Sequence, residues 1–125
     1  MSAPVILTVD DDKTVLDSLK AQLKLMFGAR FGYEAAESAA EAWEVIDELQ
    51  GDEVPIVIIV SDWLMPEIKG DDFLRRVRRK HPSIGRIMLT GFAEAEALAA
   101  VHEGALAHRL LHKPWRKEDL SLIHI

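Results

Sequence analysis

An α/β domain, with five parallel strands covered by helices on both faces, is the fold this chain predicts, and three observations predict it. Apolar runs and amphipathic stretches alternate along the whole length, the pattern of a parallel sheet joined by crossover helices. The run VPIVIIVS at 54–61 is almost continuously Val and Ile, as expected of a strand buried on both faces. The chain has 125 residues, 49% hydrophobic and 29% charged, which suits one globular domain large enough to need no covalent staple.

The elements follow in order. The first strand is PVILTV at 4–9. Leu16, Leu19, Leu23, Met26 and Phe27 then recur at helical spacing, and Gly28 supplies the stop. A weaker strand, RFGYEAAE, covers 30–37. Ser38 with Glu41 three residues on is a capping box; Ala42, Val45, Ile46 and Leu49 share one face of the helix it opens, with Gly51 beyond its end. After the strand at 54–61 comes the helix DDFLRRVRRKHP, closed by Pro82, and then the strand GRIMLT at 85–90. A fourth helix, AEAEALAAVHEG, is rich in alanine and short of large anchors. The last strand is ALAHRLL at 105–111, and a fifth helix begins after Pro114 with Leu120 and Ile123 inward. That helix runs only one or two turns and looks cut short, so residues 1–125 read as one domain, either a piece of a longer protein or a stand-alone unit.

Composition excludes several classes. With no cysteine there is no disulfide and no thiolate zinc site, and a cytoplasmic location is favoured. A formal charge of -6 argues against non-specific binding to DNA or anionic lipid. No apolar run approaches the roughly 18 residues of a membrane span, and MSAPVILTVDD has no basic region leading into a long apolar core. The basic run RRVRRK at 75–80, with Phe73, Leu74 and Val77 inward, reads as the solvated face of the third helix, so no direct nucleic-acid contact is expected. His108 and His112 sit four apart on a predicted strand, where that spacing does not make a close ligand pair.

The sharpest question is the triplet Asp10, Asp11 and Asp12 directly after an apolar strand. Two such charges about 4 Å apart repel by about 4 kcal/mol at an effective dielectric near 20. One of the three can cap the next helix. In a parallel sheet, however, every strand ends at the same edge, so residues just past strand ends converge. Asp10 and Asp11 close the first strand, Asp62 the third, Thr90 the fourth and Lys113 the fifth. Three carboxylates, a hydroxyl and an ammonium then share one crevice, which suits Mg²⁺, a cation that takes about six hard oxygen ligands. An incoming phosphoryl group would complete the charge balance, with a carboxylate as acceptor.

ILTVDDDK, VSDWLMPEIKG, MLTG and HKPW, in this order and at these intervals, resemble the four signatures of the response-regulator receiver domain of two-component signalling. The resemblance covers the chain apart from the short last helix. It implies a flavodoxin-like three-layer sandwich with strand order 2-1-3-4-5, an order for which a member of this family is a standard example. It also implies Asp62 as phosphoacceptor and Mg²⁺ or Mn²⁺ held by Asp10, Asp11, Asp62 and the backbone carbonyl of Leu64. Thr90 would bond a phosphoryl oxygen, and Lys113, before a cis Pro114, would pair with it. The donor would be a histidine kinase or phosphotransfer protein, and the signal would pass to an effector domain or protein. Homodimerisation through the fourth and fifth helices is an assembly open to the family.

Two departures stand out. The family's aromatic position on the fifth strand is Leu110, with Trp115 and Phe92 near in sequence. Leu64 and Phe92, two residues beyond the acceptor and the threonine, are bulky and apolar and would shield an acyl phosphate from water. Two other readings compete. ILTVDDDKT fits the opening of a haloacid-dehalogenase-type phosphohydrolase with Asp10 as nucleophile, although no cap domain fits in this length and Asp62 then has no role. A receiver-like interaction module that never accepts phosphate is the other.

Overall fold

The computed structural model describes residues 3–63, 65, 68, 70–90, 109–112, 115 and 120, with the backbone alone at 70, 71, 90, 109, 110 and 112. The strands are β1 (Val5–Val9), β2 (Gly32–Ala36), β3 (Ile56–Asp62), β4 (Gly85–Thr90) and β5 (Arg109–His112); the helices are α1 (Lys13–Phe27), α2 (Ala39–Gly51) and α3 (Gly70–Lys80). All pairings are parallel, in the order β2-β1-β3-β4-β5, as expected. The fourth and fifth predicted helices lie outside the described residues apart from Trp115 and Leu120.

Two apolar layers sandwich the sheet. On one side Leu19 and Leu23 of α1 pack with Ile6, Val60, Ile87, Leu89 and Leu111; on the other Ala42 and Ile46 of α2 and Phe73, Leu74 and Val77 of α3 pack with Leu7, Ile59 and Met88. Neighbouring residues Ile6 and Leu7 serve opposite layers because side chains alternate along a strand. Each fully buried Leu contributes about 1.5–3 kcal/mol relative to exposure. The alternation breaks once. Val5 pairs with Ile56 but Ile6 pairs with Ile58, so Val57 is an extra residue, and Ile56 and Ile58 face opposite layers although they are two apart.

Helix ends follow side-chain chemistry. Asp12 caps α1, accepting from the Thr14 amide at 2.9 Å, and Ser38 caps α2, accepting from the Glu41 amide at 3.1 Å; Glu41 reaches back to the Glu37 amide. Gly28, at φ 62°, ends α1. Several element ends differ from the sequence expectation, β3 among them, which runs Ile56–Asp62 and not 54–61. Gly28–Arg30 form a 3-10 turn, so β2 begins at Gly32 and not at 30; Arg30 instead lies over the rings of Phe27 and Phe31. β5 reaches His112. Gly51 is the last residue of α2, and the left-handed position falls on Glu53, at φ 57°. The amides of Glu53 and Val54 donate to the carbonyls of Gln50 and Leu49, the paired closure that usually employs glycine at that position.

One charge is buried in β4. Arg86 is sealed against the sheet and donates to the Ile84 carbonyl at 2.9 Å. Burial, and secondarily the Arg78 charge, pull its pKa below the ordinary guanidinium value.

Candidate phosphoryl-transfer and cation site

The sheet topology sets the site. β1 lies between β2 and β3, so the chain direction of the crossovers changes there, and the crevice beyond the strand ends at that point is where such sheets bind ligands. Asp10 follows β1 and its amide donates to the Ala36 carbonyl of β2 at 3.1 Å, which extends the ladder one step past the strand. Val9 is in register with Ser61, so Asp10 and Asp62 stand next to each other across β1 and β3. Asp62 pairs with Leu89, whose carbonyl accepts from the Trp63 amide at 2.8 Å. Thr90 ends β4 beside that pair and is in register with His112 of β5.

The three carboxylates meet. Asp10, Asp11 and Asp62 each offer an oxygen within 4.8 Å of the others. Asp10 is 1% exposed and Asp62 is 6% exposed, whereas Asp11 reaches solvent. One oxygen of Asp10, Oδ1, accepts from the Asp12 amide at 2.8 Å, a bond that holds the carboxylate in place; the other, Oδ2, is sealed from solvent. Two buried carboxylates at this separation repel by about 3 kcal/mol at an effective dielectric near 20. Three hard oxygens of like charge converging at a partly buried point are the donor set of a hard divalent cation, not of a soft metal.

The three aspartates thus take three different environments. Asp12 caps, Asp11 is exposed, and Asp10 is buried in the cluster. Trp63, next to Asp62, is 5% exposed and packs into the layer of α2 and α3, which makes it a wall behind the end of β3. Trp115 packs with the α1 layer, and its indole N–H donates to Gln22 of α1. Leu110 lies on β5, in register with Met88. Leu64, Phe92, His108, Lys113 and Pro114 lie outside the described residues, as does the Thr90 side chain.

A sequence model of the family described as the response regulator receiver domain matches residues 6–123. The chain belongs to the response-regulator receiver family. This receiver is 34% identical to the chemotaxis protein CheY1 of Helicobacter pylori, over 93% of the chain and 90% of that protein. It is also 32% identical to the sensor kinase CckA of Brucella abortus over 96% of the chain, but it spans only 12% of that protein's length. Among solved structures, the signal receiver domain of an HD domain-containing protein from Pseudomonas fluorescens superposes with a TM-score of 0.82 at 26% identity, covering 96% of this chain and 90% of that one. The fold is therefore that of the CheY-like receivers, and the chain is a receiver domain of two-component signalling. Among the described residues, no helix of this receiver is long and apolar enough to cross a membrane.

Trp43 of α2 carries no motif signature in the sequence. It is half-buried, it meets Phe73 edge-on at 5.5 Å between ring centroids, and Lys80 lies over its ring at 5.2 Å. The available signal was a large aromatic one residue off the apolar stripe of α2.

Proposed function

We propose that this receiver accepts a phosphoryl group on Asp62, from the phosphohistidine of a kinase or phosphotransfer protein or from a small acyl phosphate. The observation that carries the proposal is the convergence of the Asp10, Asp11 and Asp62 oxygens within 4.8 Å at the strand edge. Asp62 is the carboxylate at the end of β3, the middle strand of the sheet.

A carboxylate oxygen of Asp62 attacks phosphorus in line; the new P–O bond forms as the bond to the donor nitrogen or acyl oxygen breaks, and the donor departs with that electron pair. Mg²⁺, or Mn²⁺ in its place, would be held by Asp10, Asp11, Asp62 and the Leu64 carbonyl and would supply positive charge against the carboxylates and the phosphoryl oxygens. Asp12, through its amide on Asp10 Oδ1, keeps that carboxylate oriented. The wall formed by Trp63 limits the approach of water from its side of β3. Thr90 donates its hydroxyl to a phosphoryl oxygen and Lys113 pairs with another. Water later hydrolyses the aspartyl phosphate, and the change at Thr90 shifts the surface read by an effector domain or protein. Residues 1–125 act as one receiver domain in this reading, and a cytoplasmic location belongs to it.

The test is incubation with acetyl phosphate and Mg²⁺, followed by intact mass and peptide mapping, with Asp62→Ala as control. One phosphate on the peptide containing Asp62, absent from the variant, is the expected result. Phosphate on Asp10 would overturn the proposal in favour of the phosphohydrolase reading, and no phosphate at all would favour a pure interaction module.

A further inference from the structure

Beyond the acidic edge, the molecule carries a second charged feature of opposite sign. α2 and α3 enclose an open cleft of about 400 Å³ lined by Trp43, Arg76, Arg79 and Lys80. The three cations fall at i, i+3 and i+4 of one helix and so share one face. All three are exposed. Among the described residues no carboxylate lies within 4.0 Å of any of them, although Arg75 on the same helix pairs with Asp72 at 3.3 Å. The chain as a whole has a formal charge of -6, so this concentration of positive charge runs against the rest of the molecule.

We propose that the α2–α3 cleft docks an extended acidic segment of a partner protein with carboxylates at alternate positions. Charge complementarity selects the occupant. The cations of one helical turn offer three donors to carboxylates, and the indole of Trp43, with Lys80 over its ring, offers an apolar wall beside them. Spacing narrows the choice further. Four residues of helix advance about 6 Å, and side chains two apart on an extended segment stand about 6.6 Å from each other on one side. A Glu-x-Glu segment therefore brings successive carboxylates into step with Arg76 and Lys80 and turns the intervening side chain the other way. A nucleic acid fits less well, because its long run of phosphates would extend past the cleft onto a molecule of net negative charge. None of the residues lining the cleft belongs to the carboxylate cluster, so docking is expected to persist when Asp62 cannot be phosphorylated.

The test is titration of a fluorescein-labelled Gly-Glu-Leu-Glu-Leu-Glu-Gly peptide with the full chain, read by anisotropy at low and high salt. Saturable binding is expected, weakened by added salt and by about tenfold in the Arg76→Glu, Arg79→Glu pair, with far-UV circular dichroism confirming that the pair folds. Asp62→Ala should bind as the wild type does, so a failed phosphorylation assay leaves this result legible. Trp43→Phe, which keeps an aromatic ring against Phe73, should remove the peptide-induced change in tryptophan emission. The proposal is overturned by absence of saturable binding, by equal affinity in the charge-reversed pair, or by equal binding of a peptide with Lys for each Glu. Tighter binding of a decathymidylate through the same two arginines would overturn it in favour of a nucleic acid.

Discussion

The carboxylate edge and the α2–α3 face gather like charges by opposite routes. At the edge, Asp10 and Asp62 come from distant parts of the chain, are delivered by two parallel strands, and are buried within 4.8 Å of each other and of Asp11. On the helical face, Arg76, Arg79 and Lys80 come from a single turn of α3 and remain in water. Water screens the second group, so its repulsion costs the fold little. The first group has lost that screening, and a partner charge must offset it. A crowded set of like charges that the fold has withdrawn from water marks a site that binds; the same crowd left at the surface marks, at most, a place where a partner docks.

Removing one charge from each region tests this contrast. Asp62→Asn relieves the buried repulsion and should stabilise the protein in the presence of a chelator by about 2 kcal/mol, read by urea denaturation; a loss of stability would mean that the edge is already neutralised by the protein's own cations. Glu53→Gly comes next. It relieves a left-handed backbone position at the end of α2 without touching any charge of either region, and should add up to about 1 kcal/mol. Arg76→Gln is the smallest, within about 0.5 kcal/mol of wild type, because an exposed cation with no carboxylate neighbour among the described residues has little to lose. If Arg76→Gln moved stability as much as Asp62→Asn, burial would not be what separates the two regions.

Most of the sheet was legible because its signals are strong. The Val/Ile run of β3, the capping box at Ser38 and Glu41, and the periodic leucines of α1 each state one structure through local chemistry. The strand order was legible only through the family resemblance, since periodicity says nothing about which strands are neighbours. Where two local signals competed, the tertiary context decided. Gly51 looked like the stop of α2, but the helix runs through it and Glu53 takes the strained turn that lets Val54 close back on Leu49. Arg30 looked like the start of a strand, but its guanidinium rests on Phe27 and Phe31 in a tight turn. The site divides in the same way. The aspartates were legible because strand ends in a parallel sheet share an edge. The cleft at Trp43 was not, because RRVRRK carries no mark of which neighbouring helix will stand beside it.

The most direct measurement of the central claim is thermal and chemical stability as a function of Mg²⁺, in wild type and in Asp11→Asn, whose exposed side chain can change without disturbing the core. If the three carboxylates form a cation site, Mg²⁺ at ten times its Kd should stabilise the wild type by about 1.4 kcal/mol, with a markedly smaller gain in the variant at the same concentration. Equal stabilisation of the two proteins, or none in the wild type, would contradict the account.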